Sequence, residues 1–404
     1  MTLDQNNDTL LMEIFESLKA HDEDTTRYIL ELLYNAVMKI ERQEHLGACL
    51  HERSETRKGY ANGYKKKTVK TRLGALELQV PQTRDTEFYP SSIERGSRSE
   101  RALKVAIAEM YLKGVSTRKV TAITRKLCGM NVSSSQVSAV TKELDVEFSS
   151  FRERPLKAFP YVFLDATYQK VRNNGTVIDV ACLVAYGVNV FGKREILGAS
   201  MELSEAEVHW RSFLESLQKR GLRGIQLFVS DDHSGLGAAL RSVFPTVFRQ
   251  RCQFHMMQNA QHYAPKKSMK GEIVEAMRSV FDCPTRASVE EVKRGVIQAF
   301  SKKAPEFTEW FESNIEEGLT CLSFPKAHRK RIRTTNGLER VNREIKRRTR
   351  VAVLFPNSAS ALRLVTGVLV EIHEDWVTGK SYLDMGQLLE KNCPEIRYGG
   401  GLVA

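Results

Sequence analysis

Between residues 159 and 264 the hydrophobic pattern changes period, and that change limits the fold more than any other feature of the chain. FPYVFLDATYQKVR runs into Asn173-Asn174-Gly175, residues that suit the tight turn of a β-hairpin. TVIDVACLVAYGV and REILGASMEL follow, so three strands come in succession. An amphipathic helix is next, SEAEVHWRSFLESLQKRGL, then GIQLFVSD, an apolar strand ending in acid. GLGAALRSVF reads as a helix and FRQRC as a short strand. The order β-β-β-α-β-α-β calls for an α/β fold: a mixed sheet with helices on its faces.

This is the order of a ribonuclease-H-like core, and the flanking segments fit around it. Residues 1–52 read as an N-terminal helical, dimerising region, where Ile29, Leu32, Leu33, Ala36, Val37 and Ile40 recur at helical spacing over 9–47. Residues 53–98 form a basic, β-containing DNA-binding element, punctuated by Gly59, Gly63 and Gly74. Residues 99–150 hold three helices in a helix-turn-helix arrangement, with Gly114 and Gly129 as stops and Ser116 and Ser133 or Ser134 as caps. Its third helix would offer Ser135 and Gln136 to bases. The core's first part spans 151–265, an all-helical insertion 266–328, the second part 329–380 and a tail 381–404.

Charge points to a polyanion. The net charge is +12, and residues 53–72 and 326–350 alone contribute +7 and +9. Lys65, Lys66 and Lys67 lie in the first patch; Arg340, Arg343, Lys346, Arg347 and Arg348 lie in the second. Seven scattered cysteines without a CxxC suggest reduced thiols, no basic-then-apolar leader opens the chain, and no apolar run is long enough to span a bilayer. A cytoplasmic protein with no membrane partner is expected.

Asp165 and Asp231 each close an apolar run, and in this strand order the first and fourth strands are neighbours. Two adjacent carboxylates repel unless a cation lies between them, and a hard cation takes oxygen ligands. A third acid comes from TTNGLERVNREIKRRTR: on a helix, Leu338, Val341 and Ile345 share one face, while Glu339 shares another with Arg343, Lys346 and Arg350. Glu339 is therefore preferred as a ligand, and Glu344 as an ion-pairing surface acid. Cys252 and His255 lack the second pair that a zinc site needs. His255 lines the site or packs as a core histidine; Asn336 caps the helix or touches DNA. Trp210 and Trp310 read as structural.

LDATYQKVR, VSDDHSGL, RCQFHMMQN and TTNGLERVNREIKRRTRVAVLFPN resemble bacterial Mutator-type transposases, the insertion sequence 256 group of the DDE superfamily. GYANGYKKKTVKTRLGALELQVP and MYLKGVSTRKV resemble that family's N-terminal half, so the likeness covers about residues 25–380. It implies that Asp165, Asp231 and Glu339, spaced by 66 and 108 residues, are the catalytic acids. They would hold two Mg²⁺ ions, with Mn²⁺ as substitute. It implies double-stranded DNA partners, terminal inverted repeats and target, bound by a homodimer or higher assembly at the nucleoid. Asp232 stands where the family carries glycine and is read, with Cys252, His255 and Asn336, as lining the site. Two other functions fit the same residues: a DNA-binding descendant that no longer cuts, and a structure-specific nuclease.

Overall fold

The computed structural model describes residues 2–20, 25–49, 52, 56–95, 99, 101–128, 131–386 and 388. The chain divides into two compact units, Met1–Glu143 and Leu144–Ala404. Gly129 and most of the 381–404 tail lie outside the described residues.

In the first unit the helical stretch at the N-terminus is two helices, α1 (Thr2–Ala20) and α2 (Thr25–Leu46). A hairpin follows, β1 (Tyr60–Thr71) and β2 (Gly74–Arg84), paired antiparallel with Thr71 opposite Gly74. Alternation along β2 buries Leu76, Leu78 and Val80 against Met38 of α2. β1 is mostly exposed and carries the lysines. Then come α3 (Arg101–Leu112), α4 (Thr117–Cys128) and α5 (Ser134–Lys142). Ser116 Oγ accepts the Lys119 N–H at 3.3 Å, and Ser133 and Gln136 close a capping box at the start of α5. Leu103, Ile107, Val120, Val132 and Val137 form the core of these three helices. The SSSQVSAVTKELDVE run is not one helix. Glu143 N–H turns back to Val140 O and closes α5, and α6 (Asp145–Glu153) starts anew in the second unit.

The second unit is built on β3 (Tyr161–Asn173), β4 (Thr176–Val188), β5 (Arg194–Glu202), β6 (Leu227–Ser230) and β7 (Phe248–Arg251), in the order β5-β4-β3-β6-β7. β3–β4 and β4–β5 are antiparallel, whereas β3–β6 and β6–β7 are parallel. Asn174 (φ 49°) and Gly175 (φ 85°) make the two-residue turn between β3 and β4; positive φ at both positions matches the twist of the strands.

Period-2 alternation splits the apolar side chains between two cores. Val162, Leu164, Leu183 and Phe228 face α7 (Glu207–Lys219), which brings the fully buried Trp210, and α8 (Ser234–Val243). Phe163, Val184, Tyr186 and Val229 face α14 (Asn336–Thr349) and α15 (Ser358–Thr378). Leu338, Val341 and Ile345 are the residues α14 buries there. Between these parts lie α9 (Gln253–Ala260), α10 (Lys270–Phe281), α11 (Arg286–Phe300), α12 (Pro305–Asn314) and the basic α13 (Lys326–Ile332). α9–α12 share a separate apolar cluster, on which Trp310 packs while stacked with Tyr263 at 5.4 Å. No described helix is long and apolar enough to cross a membrane. Cys49, Cys182, Cys252, Cys283 and Cys321 are free thiols.

Candidate functional site: a carboxylate cluster at the end of a parallel strand pair

β3 and β6 pair only from Tyr161–Leu227 to Phe163–Val229. Asp165 thus does not end its strand. β3 runs on to Asn173 beside β4, while its other neighbour stops at Ser230. Asp165 stands where that partner is lost, and extending the register by two residues puts it level with Asp231. The parity that sends Phe163 and Val229 toward α14 sends Asp165 and Asp231 the same way.

The Asp165 carboxyl is pushed up to about 7, first by burial and then by the negative charge of Asp231. Its Oδ2 accepts a hydrogen bond from Asn342 Nδ2 at 2.9 Å, and its Oδ1 one from its neighbour's backbone, Ala166 N–H, at 2.9 Å. Asn342 lies on α14 one turn after Glu339, so α14 brings both to the strand ends.

Glu339 Oε1 is 3.7 Å from His255 Nε2. The Cys252, His255 and Glu339 donor atoms all lie within 4.8 Å of one another. The His255 imidazole is raised to about 9 by its hydrogen bond with Cys252, against the effect of burial, and the charges of Asp165 and Asp231 act in the same direction. For Cys252 burial pushes the thiol up, but hydrogen bonds with His255 and Thr335 outweigh it and leave the thiol below its ordinary value. Thr335 N–H and Oγ1 each meet Cys252 Sγ at 3.4 Å. That sulfur ties the start of α14 to the end of β7. With three donors, one of them already engaged by Thr335, the trio falls short of a closed four-ligand zinc site.

The donor set instead fits a hard cation. Glu339 Oε1 is buried without a hydrogen bond, as is Asn342 Oδ1, whose amide nitrogen holds the Asp165 carboxyl that Asp231 pushes up. The whole of residues 1–379 matches the family model described as "Transposase, Mutator family". The chain belongs to the Mutator family of transposases.

Its relatives span nearly the whole length. The chain is 49% identical to the transposase for insertion sequence element IS406 of Burkholderia multivorans over 357 residues, 88% of this chain and 92% of the relative. It is 42% identical to the ISRM5 transposase of Rhizobium meliloti over 371 residues, 91% and 92% of the two chains. It is 36% identical to the IS256 transposase in transposon Tn4001 of Staphylococcus aureus over 387 residues, 93% and 98%.

In this Mutator-family transposase the remaining candidates fall into two groups. Asp232 turns away from the cluster: its Oδ2 meets Arg251 Nη2 at 2.5 Å, and the same buried guanidinium reaches Glu317 at 3.3 Å. Asn336 is exposed at the first position of α14, and Thr335 occupies the cap. Arg340, Arg343 and Lys346 are exposed. Arg347 is exposed but held by Glu344 at 2.7 Å. Arg348 is not available to phosphate: its side chain is 6% exposed and bonded to Glu344 and Glu371, because the helix turns it onto α15. In the first unit Lys65 and Lys66 are exposed, while Lys67 is tied to Tyr89 OH and Glu94 O. Ser135 and Gln136 are exposed, with the Gln136 amide oxygen spent on the cap of α5. Sequence reasoning passed over Asn342 and Glu205, whose charge also acts on Asp165. The i, i+3 step from Glu339 could have singled out Asn342; Glu205 follows a strand end and carries no comparable mark.

Proposed function

We propose that the chain cuts DNA at the ends of its own insertion sequence and joins the freed 3′-OH to a new phosphodiester, with Asp165, Asp231 and Glu339 as the metal-holding acids of a DDE site. The observation that carries this reading is the buried, hydrogen-bond-free Glu339 oxygen 3.7 Å from His255, the imidazole on which the charges of Asp165 and Asp231 act. Two Mg²⁺ ions bound there, or Mn²⁺ in their place, would supply activation of the attacking oxygen and stabilisation of the leaving one. The chain's own part is positional. Asn342 fixes the Asp165 carboxylate, His255 in its protonated form sits beside Glu339, and exposed Arg340, Arg343 and Lys346 meet DNA phosphates. Water attacks first and the 3′-OH second, each by in-line displacement, so no covalent protein–DNA intermediate is required.

The strand order favours a ribonuclease-H-like core, divided as 151–265 and 329–380 around a helical insertion at 266–328. α3–α5 fit a helix-turn-helix module that reads terminal inverted repeats, with the lysine-bearing β1–β2 hairpin as a second contact and residues 1–52 as a dimerisation region. Pairing two DNA ends calls for at least a dimer, working in the cytoplasm at the nucleoid.

The test is a cleavage and joining assay on DNA from the gene's own flanks. Nicking at a fixed repeat boundary, dependent on Mg²⁺ and abolished by EDTA, is expected. Glu339→Gln should abolish cutting and spare end binding. Normal cutting by that variant removes Glu339 from the site; tight binding without cutting by the natural chain favours a DNA-binding descendant; cutting that ignores the repeats favours a structure-specific nuclease.

A further inference from the structure

Two arginines meet around aromatic rings on the α14 side of the sheet, and the charge of a third, Arg340, acts on one of them. The Arg194 guanidinium lies over Trp376 at 4.2 Å and over Tyr382 at 4.5 Å, and Arg331 lies over the same Tyr382 ring at 4.9 Å. Arg340 is close enough that its charge, like that of Arg331, acts on Arg194. Among the described residues none of the three has an ion-pair or side-chain hydrogen-bond partner. Of the acids nearest in sequence, Glu339 beside Arg340 faces His255 at 3.7 Å, and two others are engaged elsewhere. Glu195 accepts from Asn189 at 2.7 Å, and Asp384 from the Gly386 N–H at 3.0 Å.

A guanidinium carries five N–H donors and cannot shed its charge. Stacking satisfies its faces and leaves its edge free. Three such groups, one of them half-buried, repel one another unless an anion is shared between them. The cluster is also joined to the catalytic acids. Arg340 follows Glu339, and Tyr186 stacks on Phe163 at 4.4 Å, two residues before Asp165, while meeting Trp376 edge-on at 5.1 Å. Gly337, in the first turn of α14, lies so close to the Tyr186 ring that a Cβ there would be 2.3 Å from its hydroxyl. The helix carrying Glu339 and Arg340 is thereby seated against the aromatic stack.

We infer that Arg194, Arg331 and Arg340 form a phosphate clamp that holds a backbone phosphodiester of the bound DNA other than the scissile one, with Trp376 and Tyr382 as its rigid backing. This deepens the reading above and rests on the chain binding DNA at the acid cluster. The clamp grips the strand beside the reaction and sets its path over α14.

The test uses the full chain carrying Glu339→Gln, so that DNA stays intact, titrated in EDTA with a duplex bearing the repeat that flanks the gene. Phosphates around the cut are replaced singly by neutral methylphosphonates. Arg331→Ala should weaken binding about tenfold and reduce the slope of log K against log salt by about 0.9. It should also silence one methylphosphonate position that costs affinity in the parent. Arg331→Lys should keep the slope. If Arg331→Ala lowers the melting temperature but leaves affinity, slope and methylphosphonate profile unchanged, the cluster is only a brace for residues 380–385 and the inference fails. It fails as well if the parent does not bind the duplex. If the natural chain binds without cutting while the Arg331 effects persist, the clamp stands and the catalytic reading falls.

Discussion

At the scale of single residues, what separates Glu339 from Glu344 is the company each keeps. Glu344 is drawn down to about 2, chiefly by its hydrogen bond with Arg347 and then by Arg348. Glu339 has a buried oxygen with nothing bonded to it. Helical spacing alone was enough to prefer Glu339. The same spacing puts Asn342 one turn on, but only the fold shows this uncharged residue touching Asp165 across the chain. Replacing Asn342 with Ala should lower metal affinity about 10–100-fold, as for other groups that orient a ligand; Mn²⁺ titration followed by paramagnetic resonance measures it. Asp165 gives a pH dependence of definite sign. Its carboxyl rises from an ordinary value of 3.8 to about 7 on folding. The native state then holds the extra proton between those values, and stability falls as pH rises through that window. In EDTA the melting temperature of the natural chain should drop relative to Asp165→Asn between pH 4 and pH 7. Parallel curves for the two proteins would contradict the shift.

At the scale of elements, α14 does two jobs with two faces. Leu338, Val341 and Ile345 bury on the sheet, and this fixes the rotation that presents Glu339 and Asn342 to the strand ends. Ile345→Ala should cost about 2–5 kcal/mol of stability, as buried truncations do. Lys346→Ala, one residue on and exposed, should stay within about 0.5 kcal/mol while weakening DNA binding. Chemical denaturation and a binding titration separate the two effects. The basic count misled at one position. Arg348 belongs to the same charged run as Arg343 and Lys346, yet it is buried between Glu344 and Glu371, and Glu371 comes from a different helix. The strand ending expected at Asp165 was also displaced. An apolar-to-polar change marks where burial ends, not where pairing ends, and β4 keeps pairing with β3 through Asn173.

For the whole molecule, the division at Glu143 and Leu144 puts the exposed lysines of β1 and all three acids in different compact units. A fragment of residues 144–404 should keep cooperative unfolding and divalent-ion binding but lose repeat-specific DNA binding; calorimetry and gel-shift competition would check both. Loss of cooperative unfolding would mean the second unit depends on the first. Local pattern was sufficient for what depends on neighbours in sequence: the strands, the Asn174-Gly175 turn, the caps at Ser116 and Ser133, the apolar stripe of α14. Strand order and period-2 parity likewise carry Asp165 and Asp231 to one face. Tertiary structure alone decided which charges are spent and which are free. Arg251 is consumed by Asp232 and Glu317, and Arg348 by Glu371, while Arg194 and Arg331 meet around two aromatic rings without an ion-pair partner among the described residues. Side-chain charge is written in the sequence, but its neutralisation depends on distance in space, which only the folded chain sets.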